Sequence, residues 1–254
     1  MRVRTKYEKG DPVRFLGHLD VARVIQIAVF RAKWPIEMSQ GFSPRPRLSF
    51  YAPLPAGTAG TEEYFDAQLR APWGLPGLAR SLSESLPGGF WLHEVRGIPD
   101  KEESLEQRIV ASRYSIDVKG VDAGALSRSL DAFLAEQEVF FDVVRPKETR
   151  TVDLRPFVLE VGETRAESGD RAVLEMTLKH DAGRTIRPQW VLGSLSRFGL
   201  DLDPREAIID RRKILFGQRE DRRDTGPQAN TPQAVAPQAE EPQGPGRGAE
   251  SRER

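Results

Sequence analysis

The stretch RVRTKYEKGDPVRFLGHLDVARVIQIAVFRAK, residues 2–33, carries two different hydrophobic periods one after the other. In its first part, Arg2–Lys9, the residues Val3, Thr5 and Tyr7 alternate with charged residues, which predicts a strand with one buried face. In residues 18–33 the apolar side chains recur at helical spacing, which predicts an amphipathic helix. A strand that leads into a helix of this kind begins a βαβ-type unit.

The order strand, helix, strand, strand, helix, strand occurs twice. In the first half the remaining elements are predicted as strands at 48–52, 63–69 and 90–96 and a helix at 75–86. In the second half they are strands at 113–119, 139–144, 154–161, 173–179 and 207–216, and helices beginning after Asp122 and at Pro188. Asp122 is a favourable N-cap, and Pro188 suits the first position of a helix.

This pattern predicts an α+β protein of two tandem ferredoxin-like (split βαβ) units, with antiparallel sheets and helices on one face. The units are expected at 1–100 and 101–217, and the second carries an extra strand. Residues 218–254 contain no Leu, Ile, Phe, Tyr or Trp, and a Pro-Gln pair recurs in them. Such a segment buries too little apolar area to offset its ordering entropy, so we expect a disordered tail.

The composition narrows the classes of function. The chain of 254 residues has no cysteine, which excludes thiolate ligands for zinc or iron–sulfur clusters. No apolar run approaches the ~20 residues that span a bilayer, so no membrane association is expected. No apolar export signal follows Met1, and a cytoplasmic location is the expectation. No metal or cofactor is predicted.

The charge is balanced overall but placed unevenly. Residues 1–60 carry 10 Lys or Arg against 4 Asp or Glu, a net charge of +6, in a chain whose total formal charge is zero. A local positive field steers a polyanion to one face of a protein. These residues therefore favour an anionic partner such as RNA, although a simply solvated surface is the alternative.

One face of the first predicted sheet carries basic and aromatic side chains. If the helices cover only the other face, this face displays Arg2, Arg4, Lys6, Arg47, Tyr51, Tyr64 and Arg70. Such a mixture resembles the sheets that stack RNA bases and neutralise phosphates. The alternative is that the face packs against the second half of the chain, with the tyrosines and the arginine stems filling the interface.

The loop SQGFSPRPR, residues 39–47, predicts an anion site. Gly41 permits a positive φ angle, and prolines on both sides of Arg45 stiffen the backbone. A rigid loop that holds Arg45 and Arg47 loses little entropy when it binds a phosphate. In the preceding helix, Arg23, Gln26, Phe30 and Lys33 form one stripe, with Arg31 beside it, which predicts an exposed basic side.

His18 and Asp20 lie at the start of the first helix. An imidazole at this position is suited to contact a phosphate or to act as a general acid or base. The structural alternative is helix capping together with an Asp20–Arg23 pair. Because the two readings remain open, His18 and Asp20 are candidates and not assignments.

Asp153 is the candidate in the second half. It lies among Lys147, Arg150 and Arg155, so it is either an ion-paired structural carboxylate or part of a second polar site. His93 and His180 have no companions at metal-ligand spacing and are predicted to be surface or hydrogen-bonded core residues. The chain has no GxGxxG, P-loop or HExxH motif.

Several motifs resemble a known family. They are Gly17-His18-Leu19-Asp20-x-x-Arg23, Pro35-Ile36, Ser39-x-Gly41-Phe42-x-Pro44-x-Pro46, Leu54-Pro-x-Gly57, Lys147, Val152-Asp153-x-Arg155-Pro156, Arg187-Pro188 and Arg211-x-x-x-Leu215. Together they resemble the radical-SAM-linked domain family of unknown function. This chain departs from the usual pattern at Arg45, where a histidine-containing sequence is expected.

The resemblance implies a bacterial cytoplasmic protein that occurs alone or fused behind a radical-SAM/cobalamin-type domain, often encoded near ribonuclease E/G and ribosome-related genes. It implies no settled activity. The candidate functional set carried over by the resemblance is His18, Asp20, Arg23, Gly41, Phe42, Pro44, Lys147, Asp153 and Arg155.

These observations favour an RNA-associated accessory or substrate-binding protein that works with a radical-SAM modification system. One alternative is an RNA-processing or RNA-modifying enzyme in its own right. Another is a module that docks on the radical-SAM protein. An enzyme requires His18 or Asp153 in one pocket with the arginines, whereas a docking module requires an exposed apolar patch.

Overall fold

The computed structural model describes residues 1–146, 148–168, 171–181 and 184–217. Lys147 and the predicted tail at 218–254 lie outside these residues. The strands are β1 (Arg2–Lys9), β2 (Leu48–Phe50), β3 (Thr58–Gln68), β4 (Phe90–Ile98), β5 (Ile109–Lys119), β6 (Phe140–Arg145), β7 (Glu148–Asp153), β8 (Val158–Val161), β9 (Arg165–Ser168), β10 (Arg171–Lys179) and β11 (Ile208–Phe216). The helices are α1 (His18–Arg31), α2 (Leu75–Ser85), α3 (Ala123–Ala135) and α4 (Pro188–Ser194). The predicted α+β class is confirmed.

In the described part of the chain, nine strands form one continuous sheet. Seven of them follow the order β4-β1-β3-β11-β5-β10-β8. Strand β2 lies beside β3, β9 lies beside β10, and β6 and β7 form a separate hairpin. The two halves therefore share a sheet, whereas the sequence predicted two antiparallel sheets. They meet where β3 and β11 run parallel, with Ile209 opposite Thr58 and Arg211 opposite Gly60.

This junction has a simple cause. Strand β2 is short and pairs only with residues 65–67 of β3. The beginning of β3 would otherwise present unpaired N–H and C=O groups along that edge, which is costly when the edge is buried. Strand β11 supplies the missing partners at residues 58–60.

Each half has its own apolar core on the helix-covered face. In the first half, α1 buries residues at helical spacing, including Ile25 and Val29, against Val3 and Phe65 of the sheet. Truncating one of these fully buried side chains, as in Ile25→Ala, should cost about 2–5 kcal/mol because a cavity remains. The second core packs α3 and α4 against β5, β8 and β10.

Local signals placed several boundaries correctly. The Asp122 Oδ1 accepts a hydrogen bond of 2.8 Å from the backbone N–H of Ala125, as an N-cap does, and α4 begins at Pro188. The strand predicted at 154–161 is too long. Its first residues form a 3-10 turn at Arg155–Phe157, since Pro156 cannot donate to a ladder.

None of the helices in the described ranges is long and apolar enough to cross a membrane.

Candidate functional site

Half of the ten basic side chains in residues 1–60 form ion pairs. The buried Asp66 carboxylate binds both Arg2, at 2.5 Å, and Arg4, at 2.8 Å, and Lys6 lies 2.7 Å from Glu62. These carboxylates belong to β3, which runs alongside β1. The positive excess counted in this part of the sequence is therefore partly neutralised by the neighbouring strand.

The sheet face opposite the helices is not open. Arg4 is 1 % exposed, and the buried Tyr51 hydroxyl donates to Asp66 at 2.8 Å. This face is covered by Leu105, in the segment that connects the halves, and by Ile214 of β11. The prediction that Arg4 and Tyr51 lie on an exposed RNA-binding face is therefore wrong.

The alternative, in which this face packs against the second half, agrees with the structure. Tyr64 meets the ring of Phe216 edge-on at 5.6 Å, and the Arg2 side chain donates to the Glu102 carbonyl oxygen at 2.9 Å. Arg4 and Lys6 thus have structural ion pairs, and neither is an unpaired cation available to an anion.

Four exposed cations among residues 1–60 make no ion pair within the described residues. They are Arg23 and Arg31 on α1, Lys33 just beyond its end, and Arg45. Arg47 is also exposed, but it pairs with Glu37 at 2.7 Å. From His18 to Phe50 the chain carries five Lys or Arg against two Asp or Glu. We call Arg23, Arg31, Lys33 and Arg45 the basic surface.

Arg45 lies in a loop that its own backbone braces. We call residues 37–47 the basic loop. The N–H of Ser39 donates to the carbonyl of Arg45 at 2.7 Å, and the N–H of Arg45 donates to the Ser39 hydroxyl at 3.0 Å. Gly41 has a φ of +127°, a backbone conformation that favours glycine, as the sequence predicted. These bonds hold the loop tip, including the fully exposed Phe42, in one arrangement.

The basic loop is fixed to the sheet at its base. The N–H of Arg47 donates to the Glu37 carbonyl at 2.9 Å, and the N–H of Gln68 donates to the Arg47 carbonyl at 3.1 Å. Its C-terminal end continues directly into β2. Its N-terminal end follows α1 after a short connection. In this connection the indole N–H of Trp34 donates a hydrogen bond of 3.2 Å to the Leu78 carbonyl.

The outer side of α1 also presents apolar side chains. Leu19 is 80 % exposed, and Ile27 and Phe30 are each nearly half exposed. Leu19, Arg23 and Ile27 are spaced four residues apart, so they lie on one face of the helix. We call Leu19, Ile27 and Phe30 the α1 apolar stripe.

His18 is the first residue of α1 but does not cap it. Gly17 occupies the N-cap position, with no side-chain capping bond, so the capping reading is wrong for His18. The exposed imidazole meets the Phe50 ring edge-on at 6.0 Å. Within the residues that the structure describes, Asp20 and Arg23 form no ion pair, and both are exposed.

His18 borders a small recess whose other polar lining residues are Tyr7, Lys9, Tyr51 and Glu63. The recess offers about 10 Å³ to the centre of a water molecule, which is roughly the room of one water. It is thus too small for a base or a sugar.

Sequence reasoning missed a buried lysine and a buried ion pair near this recess. The Lys9 ammonium donates to the carbonyl oxygens of Arg14, Leu16 and Thr58 at 2.8–2.9 Å. Burial lowers the pKa of Lys9 to about 8, with Glu63 acting in the opposite direction. The sequence did contain a signal for this burial, because Lys9 lies two residues after Tyr7 in the alternation that places Val3, Thr5 and Tyr7 on the buried face of β1.

The second missed group is the pair between Glu63 of β3 and Arg211 of β11. The Arg211 Nε donates to Glu63 at 2.9 Å, and its Nη2 also binds the Ala52 carbonyl. Burial raises the pKa of Glu63, and the Arg211 guanidinium opposes that rise. This pair joins the two halves of the molecule at the β3–β11 junction. The sequence analysis includes Arg211 in a motif, but it does not predict that Glu63 is its partner.

Asp153 and Arg155 have structural partners in the second half. The Asp153 Oδ1 accepts from the backbone N–H of Val139 at 2.8 Å and of Arg155 at 3.1 Å. The Arg155 side chain donates to the carbonyls of Leu134 and Val158. Asp153 does not line the His18 recess.

The remaining histidines also have partners. His93 lies 3.3 Å from Glu8, and the His180 Nε2 lies 2.9 Å from the Ser112 hydroxyl. Among the described residues, no group of three or more His, Asp or Glu is arranged to hold a metal ion.

Comparison with known proteins identifies a family. A family profile described as "Uncharacterized protein conserved in bacteria (DUF2344)" matches residues 2–188. Since this is well over half of the sequence, the chain belongs to that family. No curated protein matches it.

Two solved structures resemble the fold at low sequence identity. The crystal structure of a Cbf5-Nop10-Gar1 complex matches with a TM-score of 0.41 and 8% identity, over 84% of this chain and 49% of that chain. A structure of an H/ACA RNP bound to a substrate RNA containing 2'-deoxyuridine matches with a TM-score of 0.39 and 9% identity, over 84% of this chain and 47% of that one. This chain thus spans about half the length of either.

Proposed function

We propose that this member of the bacterial family is an RNA-associated accessory protein that binds RNA through the basic surface and the basic loop. The observation that carries the proposal is the set of four exposed cations without ion pairs, one of which, Arg45, lies in the same loop as the exposed ring of Phe42. Cations that have no carboxylate partner remain available to phosphates, and exposed aromatic rings stack on bases.

The braced loop favours binding over a simple surface role. Ser39 and Arg45 exchange two hydrogen bonds across the loop, so its backbone is ordered before any ligand arrives. Preorganisation lowers the entropy lost on association. A guanidinium on such a loop is well suited to a phosphate oxygen pair.

The experiment is RNA binding by fluorescence anisotropy at several salt concentrations. If Arg45 contacts a phosphate, Arg45→Ala should weaken binding at low salt and reduce the slope of log K against log[salt] by about 0.7 for a single strand. The matched control is Arg184→Ala, which removes the same charge from an exposed residue paired with Asp181 in the second half. Equal effects of the two variants, or no binding of any RNA at low salt, would contradict the proposal.

We propose further that the protein works with a radical-SAM modification system. This part comes from the motif resemblance and is supported by the exposed α1 apolar stripe, which is suited to a protein contact. A second candidate function, a module that docks on the radical-SAM protein, rests on that stripe. The double variant Leu19→Ser/Ile27→Ser keeps all four cations of the basic surface and should abolish co-elution with the radical-SAM protein of the same cell.

The alternative of an RNA-processing enzyme assigns the chemistry to His18 or Asp20. Its support is the exposure of both side chains beside the basic surface. Incubating the protein with its bound RNA, and comparing His18→Ala with wild type, tests this reading. RNA cleavage or modification that disappears only in the variant would favour the enzyme over the accessory protein.

The fold underlying this proposal is a pair of ferredoxin-like units at 1–100 and 101–217. The orders β4-β1-β3-β2 and β11-β5-β10-β8 support it. Each places the fourth strand of the split βαβ pattern beside the first, and the third strand beside the second. In this reading the β6–β7 hairpin is an insertion in the second unit.

A further inference from the structure

We infer that the RNA taken by the basic loop is single-stranded, and that one unpaired base stacks on the ring of Phe42. This inference rests on the proposed function, because it specifies the ligand of the same surface. It adds a residue, a contact and a class of RNA.

The position of Phe42 carries the inference. Its side chain is fully exposed, and every residue from Ser39 to Arg45 is exposed as well. A side-chain atom added at the neighbouring Gly41 would meet nothing within 4 Å. The space around the loop tip is therefore open, and a planar base has access to the ring.

The loop presents the ring together with cations. Arg45 follows Phe42 by three residues, and the two are held in one braced turn by the hydrogen bonds of Ser39. An aromatic ring with adjacent arginines is the arrangement by which proteins bind single strands, since each base offers a π-face and each linkage a phosphate.

Duplex RNA does not offer the matching surface. In an A-form helix the bases are paired and stacked on each other, and the deep major groove excludes side chains. A ring at a loop tip contacts the backbone of such a duplex and gains no stacking. Unpaired nucleotides in loops or tails present the face that Phe42 requires.

The concave sites do not provide an alternative binding place for a base. The His18 recess has room for about one water. The larger groove lies between α3 and residues 161–164, and its lining includes the carboxylates of Asp131 and Glu163, which repel phosphate. Among the sites found in the described residues, the loop tip therefore fits best.

The test measures binding of a fluorescein-labelled mixed-sequence RNA of about 12 nucleotides, alone and annealed to its complement. Phe42→Leu should weaken single-strand binding about tenfold, the usual range for one stacked base, and should leave the weaker duplex binding unchanged. Phe42→Trp should retain affinity, and its fluorescence should be quenched by the single strand.

The control is Phe15→Leu, which changes another exposed phenylalanine outside the loop. Phe42 makes no core contact, so its variants should fold, and an unchanged melting curve confirms this. Single-strand affinity that is unaffected by Phe42→Leu, or duplex binding as tight as single-strand binding, overturns the inference while Arg45→Ala still reports on the proposed function. Tighter binding of DNA of the same sequence overturns the assignment to RNA. No binding of either RNA overturns the proposed function itself.

Discussion

Replacing Arg211 by methionine should destabilise the protein strongly. The Arg211 guanidinium and the Glu63 carboxylate are both nearly inaccessible to water, with 2% and 3% exposure, and they bind each other through two nitrogens. Removing one partner leaves the other charge buried and uncompensated, which costs about 3–5 kcal/mol. Since domains have total stabilities of about 5–15 kcal/mol, this loss is a large fraction. The expected fall in Tm is roughly 6–20 °C.

The double variant Glu63→Met/Arg211→Met separates the lost pairing from lost packing. Replacing a buried ion pair by apolar side chains of similar volume is often neutral. Here the Ala52 carbonyl also loses its donor, which costs about 1–3 kcal/mol. The double variant should therefore recover part, though not all, of the stability that Arg211→Met loses.

The pH dependence provides an independent check. Burial raises the pKa of Glu63 above its ordinary value of 4.5 in the folded protein. A group with a raised folded pKa contributes stability that is complete below the unfolded pKa and is lost as pH rises through the folded pKa. In Arg211→Met the opposing guanidinium is gone. The free energy of unfolding of Arg211→Met should therefore approach that of the double variant as the pH falls toward 4.5.

Urea denaturation followed by tryptophan fluorescence at pH 7 and pH 5 measures these differences. Arg212→Met is the matched control, because Arg212 is the next residue of β11 and its side chain is half exposed near Asp210. The control should change stability by less than about 1 kcal/mol, as exposed pairs do. A loss below about 1 kcal/mol in Arg211→Met, or a double variant no more stable than the single one, would refute the reasoning.

Three further outcomes are expected. Lys9→Met should cost about 3 kcal/mol or more in urea denaturation, because three carbonyls lose their donor, whereas Lys6→Met, which removes an ion pair that is about a quarter exposed, should cost about 1 kcal/mol or less. Burial lowers the pKa of His180 from 6.5 to about 4, so wild type should lose stability relative to His180→Gln as pH falls through this interval; equal pH profiles would contradict a buried neutral imidazole. Deleting residues 218–254 should leave the melting transition unchanged, since the segment has no Leu, Ile, Phe, Tyr or Trp to bury, and calorimetry showing a loss above about 1 kcal/mol would disprove this expectation.

The elements that could be predicted from sequence are those whose secondary structure is determined by one hydrophobic period or by one residue at a helix start. β1 has the predicted bounds Arg2–Lys9, and α1 begins at the predicted His18. Asp122 marks a helix start through its side-chain cap, and Pro188 does so through its fixed φ angle. The joining of the halves into one sheet was not predictable in this way. It depends on the shortness of β2, which leaves part of the β3 edge for β11.

The exposure of the candidate site residues was less predictable, because burial depends on contacts that are distant in sequence. Alternation along β1 assigns Arg4 to the face away from the helices. Whether that face is open depends on where the connecting segment around Leu105 runs. Residues more than fifty positions away thus decided that Arg4 and Tyr51 are buried, and no local pattern reports such a contact.

The same reasoning explains which basic residues remain as candidates. In a strand, each residue faces a neighbour in the adjacent strand, and the register places Arg4 directly opposite Asp66. Arg2, Arg4 and Lys6 therefore receive carboxylates from β3, in residues 61–110, which carry 9 Asp or Glu against 5 Lys or Arg. Residues on the outer side of a helix or at a loop tip have no such opposite strand. For this reason Arg23, Arg31 and Arg45 have no carboxylate partner in the part of the chain that the structure describes. The positive charge of residues 1–60 therefore produces a positive surface only on the outer side of α1 and at the tip of the basic loop.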